Sequence, residues 1–379
     1  MKPVRLLPSL QMALRIAASA LCFLFAAGAA AQQHGTPGSR PTGKPAFTYF
    51  DVPGAATGAR QGTLALSSNV AGKIAGYYYD AANLTHGFAR DASGAITKFD
   101  PPGADGTFPF SIDTAGNIAG YYNDTANVAH GFIRFATGAI TSFDAPGAGT
   151  AADQGTLAWH IDTEGSATGY YIDANQVYHG FTRKTNGMIV TFDAPGAGTD
   201  TYQGTLAFGI NSTGTIAGQY VDANYLSHGF SRAADGAMTA FDAPGAGTHR
   251  NQGTFGRGLD ASGTIAGSYL DANGAYHGFT RASTGAIVTF DAPGAGRRPY
   301  QGTTSLSIDT EGAIAGQFVL PSDVTHGFVR APNGTIVTFT VPAACTLCQT
   351  MPESINAAGG IAGYFSGTSG AYHGFQLTP

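Results

Sequence analysis

The chain has 379 residues with 55 glycines, 17 tyrosines and 24 phenylalanines; only 11% of it is charged, and its formal net charge is −5 at pH 7. That much glycine excludes an ordinary α/β enzyme, and that many aromatics exclude a disordered chain. The acidic balance excludes a nucleic-acid-binding surface, which leaves a protein of many short strands and tight turns.

At the N-terminus, Lys2, Arg5 and Arg15 surround the start of an apolar run from Ile16 to Ala27, and Ala29-Ala30-Ala31 places small residues before Gln32. The pattern predicts a cleaved secretory signal over 1–31; the alternative is an uncleaved anchor, for which the run is shorter than the ~20 residues of a membrane span. Leu21 stands where a lipoprotein signal has a small residue, which argues against a lipid anchor at Cys22. Cleavage takes the net charge to −8, leaves no transmembrane segment, and predicts a secreted or periplasmic protein. Residues 32–45 are rich in Gly, Pro and small polar residues and read as a flexible leader. A single domain is expected over 46–379.

Within 46–379 the chain repeats itself. His-Gly-Phe recurs at His86, His130, His179, His228, His277, His326 and His373, with spacings of 44, 49, 49, 49, 49 and 47. A (Ile/Ala)-(Ala/Thr)-Gly marker accompanies each copy, as at Gly76 and Gly218. Phe-Asp-x-Pro-Gly recurs from Phe50 to Phe290, with a degraded copy at Phe339. Each unit divides into four strand-sized pieces, a to d, which in the fourth copy are 205–210, 215–221, 227–232 and 237–242. Asx-x-x-Gly joins a to b, Asp-Ala-Asn joins b to c in three copies, and Arg-x-x-x-Gly joins c to d, all of hairpin length. Four antiparallel strands in ~49 residues is the size of a propeller blade.

The order of the pieces implies closure. The domain begins with a d piece at Ala46 and ends with a c piece at His373-Gly374-Phe375, so the first strand supplies what the last unit lacks. The expected fold class is therefore all-β: a seven-bladed β-propeller of four-stranded antiparallel blades, with the N-terminal strand completing the last. The Asx-x-x-Gly-x-Ile-Ala-Gly…His-Gly-Phe pattern, from Ala46 to the C-terminus, resembles the extracellular repeats named for a His-Ala-Phe motif, with Gly87, Gly131 and their equivalents in place of Ala. The resemblance implies export and no particular reaction.

Chemistry is sought where the repeat breaks, because a catalytic group must sit in one specific environment. The repeated His is expected to bond a neighbouring loop or backbone, its Phe to pack, the Gly of Ile-Ala-Gly to permit close packing, and the Asp of Phe-Asp-x-Pro-Gly to cap its turn. Four a-strand breakers, Trp159, His160, Arg257 and Glu353, are the catalytic candidates; strand a lines the channel, but alternation leaves open which way each points. Alternation also puts the d–a and b–c loops on one face. The ligand-binding candidates there are Asp173, Tyr202, Asp222, His249, Arg250, Asp271, Arg297, Arg298 and Tyr300. Cys345 and Cys348 are expected to pair in an oxidising compartment, with free thiols or a redox role as alternatives. No metal site and no cofactor is expected. The functional expectation is a monomeric, non-catalytic binding scaffold acting through the loop face on a glycan, a surface polymer or a protein. The alternatives are a funnel-site hydrolase or lyase acting on a polymer, and a purely structural envelope or matrix component.

Overall fold

A computed structural model describes residues 46–344 and 348–379. The leader and signal segments, Cys22 and Cys345 lie outside these residues. The described chain is all strand and turn, with 28 strands in chain order. Backbone pairing sorts them into seven antiparallel sets of four. In the fourth set, Gly204–Ile210, Ile216–Val221, Ser227–Arg232 and Met238–Phe241 follow one another from the channel outwards, as strands a to d.

The set that closes the ring is built from both ends of the domain. Thr350–Ile355, Ile361–Ser366 and Tyr372–Thr378 supply a, b and c, and Ala46–Phe50 is the d strand, in register from Ala46 opposite Thr378 to Phe50 opposite Gly374. At five of the seven junctions, neighbouring blades are joined by a single parallel bridge between the start of strand a and the first residue of the preceding strand c. Gly204 meets Tyr178 in this way, and Gly62 meets Tyr372 across the closure. Because the same link recurs at the seam, the ring is continuous.

The repeated residues are explained by these contacts. Gly204 has φ of 113°, and a Cβ there would collide with the Tyr178 carbonyl, so Gln-Gly-Thr needs its glycine. Phe230 is fully buried, as are its equivalents in the other blades. The ring of Phe241, from strand d, lies on Gly229, where an added Cβ would sit 2.5 Å from its atoms. Every blade repeats this packing of the Phe-Asp ring onto the His-Gly-Phe glycine, which is why alanine is absent there. Gly218 likewise lets the Phe230 ring approach, within 2.9 Å of where its Cβ would stand. Between blades, Arg232 lies over Phe192 of the preceding blade at 4.7 Å, and most other blades repeat the pair.

Strand a carries a β-bulge at the same point in all seven blades. In the third blade the register jumps from Ala158 to His160, leaving Trp159 unpaired. The equivalent residues are Leu66, Phe110, Phe208, Arg257, Leu306 and Glu353. An unpaired extra residue re-aims its side chain, so one residue per blade turns into the central channel.

Candidate functional site

The seven bulge residues line the channel together. Phe110 stacks on Trp159 at 4.2 Å and 16°, Phe208 meets Trp159 edge-on at 5.2 Å, and the Arg257 guanidinium lies 5.3 Å from the Phe208 centroid. Leu306 and Glu353 follow, and Leu66 completes the circuit. These side chains border a cavity of about 160 Å³ that Ser67, Ser111, His160, Ser307 and Ser354 also line. A second cavity, of about 200 Å³, lies at the a–b turns and shares His160, Leu259 and Ile308 with the first.

Strand b is uneven around the channel. The residue after its glycine is Tyr77, Tyr121, Tyr170 and Tyr364 in four neighbouring blades, and Gln219, Ser268 and Gln317 in the other three. The Tyr121 hydroxyl and Gln317 Oε1 are buried without a protein hydrogen-bond partner.

Arg257 and Glu353 are the two charges of the bulge ring. Both are partly exposed where they border the cavity. Burial raises the Glu353 carboxyl to about 7 against the pull of Arg257, and burial lowers the Arg257 guanidinium against the pull of Glu353. Among the described residues, neither side chain takes part in a hydrogen bond or in an ion pair within 4 Å.

His160 has a different task. Ile210 N–H donates to its Nδ1 at 3.4 Å, across to the next blade. Ser67, Ser111 and Ser307 make the same contact through Oγ, accepting from Ile112, Ile161 and Ile355 at 3.2, 3.3 and 3.3 Å. His160 replaces a serine acceptor, and burial lowers it to about 4. An accepting Nδ1 on a neutral ring leaves the proton on Nε2. The structure thus brings Trp159, Arg257 and Glu353 to one ring that lines the cavity, and makes His160, which also borders it, an inter-blade contact.

Strand c holds the repeated histidines, outside the channel. His179 Nδ1 lies 2.9 Å from Asp193, its Nε2 lies 3.7 Å from Asp173, and its ring stacks on Tyr171 at 4.8 Å. His86, His130, His228 and His277 repeat the arrangement. The histidine bonds a neighbouring loop, as expected, through the Asp that opens the d–a loop, and a second carboxylate from the b–c turn lies close to its other nitrogen. One expectation is corrected: the Asp of Phe-Asp-x-Pro-Gly accepts from that histidine rather than capping its turn. Oδ1 of Asp173, Asp222 and Asp271 accepts from backbone N–H groups of the b–c turns, while Oδ2 faces the histidine. The sixth blade departs, with Thr340 on His326 Nδ1 at 3.1 Å and Phe318 in place of the tyrosine.

The remaining loop-face candidates are scattered, some touching the preceding blade and others bonding only within their own loop. Tyr202 and Tyr300, both exposed with φ near +65°, donate their N–H to Gln176 and Gly274 of the preceding blade. Arg250 lies over Tyr225 at 3.7 Å, while His249 and Arg298 donate their N–H groups to Gln252 and Gln301. Arg297 is exposed. None of these residues lines either cavity above. Cys348 is disulfide-bonded. Among the described residues no group of three or more His, Cys, Asp or Glu side chains is placed to hold a metal, and no helix is long and apolar enough to cross a membrane.

Phe110 and Phe208 are site residues that the repeat breaks did not single out. Their signal is positional: each is the fourth residue of its strand counted from the Thr of Gly-Thr, or from the aligned Thr107 of the second blade.

No family model matches the chain, and no curated protein does. Solved structures do. A streptogramin B lyase superposes at a TM-score of 0.56 with 15% identity, over 88% of this chain and 98% of that one. A virginiamycin B lyase from Staphylococcus aureus gives 0.54 and 12%, over 89% and 100%. The BP39L lectin from Burkholderia pseudomallei gives 0.53 and 10%, over 83% and 95%. The fold is a β-propeller. At such low identity the likeness extends to the fold alone, and the propellers matched include both lyases and a lectin.

Proposed function

We propose that this chain is an exported, non-catalytic propeller that binds a small ligand in its central channel. The observation that carries the reading is the concentration of broken symmetry on the bulge ring, where seven equivalent positions hold Leu, Phe, Trp, Phe, Arg, Leu and Glu. A packing role asks for the same residue in each blade, as at Phe230 and its equivalents. A ligand asks for different groups at different bearings around an apolar pocket. The loop-face candidates, by contrast, are scattered and line neither cavity. At about 160 Å³ the cavity holds on the order of ten waters, which suits a small molecule better than a polymer.

The chain has one tryptophan, Trp159, so its fluorescence reports on this ring. A library of small metabolites, screened by Trp159 emission and thermal shift alongside a glycan array, tests the reading. The expected outcome is a ligand that shifts emission, raises the melting temperature and is recovered unchanged, with binding lost in Arg257→Ala. Ligands that leave Trp159 silent and are lost in Tyr202→Ala or Tyr300→Ala return the function to the loop face.

A catalytic reading is favoured by one observation, the Glu353 carboxyl at about 7, where a group gives and takes protons readily. Against it, His160 is committed to Ile210, and Ser67, Ser111 and Ser307 accept backbone N–H groups. Chemical conversion of the ligand by the wild type and not by Glu353→Gln decides for the enzyme.

A further inference from the structure

We propose that the channel ligand is a small zwitterion with a flat apolar body, of the kind an aromatic amino acid represents. The inference rests on the channel-binding reading and specifies its chemistry. It starts from Arg257 and Glu353, which occupy equivalent bulge positions two blades apart, with Leu306 between them. Each feels the other's charge, yet they form no ion pair within 4 Å. Two opposite charges that line one cavity and are coupled but unbridged leave a gap for a group to span.

A ligand with one charge does not fill that gap well. An anion on Arg257 is repelled by Glu353, and a cation on Glu353 is repelled by Arg257. Either also leaves the second protein charge unmatched in the cavity. A zwitterion gives the guanidinium a carboxylate, which suits its planar fork, and gives Glu353 an ammonium. Both charges are then satisfied, and the net charge of the channel does not change.

The rest of the ring specifies the body of the ligand. Phe110, Trp159 and Phe208 form one continuous aromatic wall that ends at Arg257. A flat apolar group packs against such a wall with its charged end towards Arg257 and Glu353. The cavity volume suits a ligand the size of a single amino acid rather than a chain.

The test is a four-probe titration of the purified protein followed by Trp159 emission and calorimetry. The probes are L-phenylalanine, N-acetyl-L-phenylalanine (anion only), L-phenylalaninamide (cation only) and glycine (no body). L-phenylalanine is expected to bind, and each of the others to bind at least about tenfold more weakly. Arg257→Gln is expected to reverse the preference towards L-phenylalaninamide, and Glu353→Gln towards N-acetyl-L-phenylalanine; a merely structural role for these residues weakens all four probes alike. The wild-type panel is decisive even if a variant fails to fold. Equal or tighter binding of either single-charge probe overturns the proposal. Silence of all four probes, when some other small molecule shifts Trp159, overturns the zwitterion and leaves channel binding standing. Silence of the whole library removes both.

Discussion

Two rings of equivalent residues run around this molecule, and they follow opposite rules. The outer ring, on strand c, presents a histidine in every blade, and in five of them the histidine lies between two carboxylates and against a tyrosine. The inner ring, at the strand a bulge, presents apolar residues and two opposite charges that the surrounding protein leaves unpaired. The outer ring reads as architecture in the sequence, and the structure gives its histidines carboxylate partners. The inner ring holds three of the four repeat-breaking candidates, Trp159, Arg257 and Glu353, which line one cavity.

Breaking the repeat at its core has the largest expected effect. Phe230→Ala empties a fully buried position and should cost about 4 kcal/mol in denaturant unfolding. Glu353→Gln sharpens the contrast, because it should stabilise. The Glu353 carboxyl is raised from 4.5 to about 7 in the folded protein, so its contribution to stability is full below pH 4.5 and declines as pH rises towards 7. The variant should therefore melt higher than the wild type at pH 8, with a gain on the order of 2 kcal/mol, and should show no gain at pH 4.

The outer ring should behave in the opposite sense. The hydrogen bond to Asp193 outweighs desolvation and raises His179, whose contribution is complete below 6.5 and is lost as pH rises through the folded value. His179→Ala should cost about 1 kcal/mol at pH 5.5, and less at pH 8. His326, lowered by burial in the blade where Thr340 and Leu320 replace the aspartates, contributes above 6.5 and loses that contribution as pH falls. His326→Ala should therefore show the reverse pH slope in matched melting curves. A common slope for the two variants would show that the carboxylates do not govern the ring. The smallest effect is expected at Tyr300→Ala, exposed on the loop face, which should change stability by less than about 0.5 kcal/mol.

Fold and closure were legible because the markers recur in fixed order, with an N-terminal d piece and a C-terminal c piece. Asx and Gly at turn positions and Phe at period-two positions act locally, and the sequence is local information. The orientation of Trp159, Arg257 and Glu353 was not legible. It depends on a bulge, and one extra residue in a strand reverses every alternation argument beyond it. The partners of the histidines were hidden for a related reason. Asp173 and Asp193 lie six residues before and fourteen after His179, and only the pairing of strands b, c and d brings both to one imidazole. The role of His160 as a stand-in for serine was visible only once Ser67, Ser111 and Ser307 were seen to accept from the next blade.

The strand Ala46–Phe50 carries a consequence for how this molecule comes into being. Asp51 meets His373 across 322 positions of sequence, so the seam forms last, between the two ends of the domain. Bringing such distant points together costs about 5 kcal/mol of chain entropy, which the five-residue clasp and the Gly62–Tyr372 bridge must offset. Without the clasp, strand Tyr372–Thr378 has a bare edge. A ligand that fills the channel, as proposed above, would therefore also fasten the clasp.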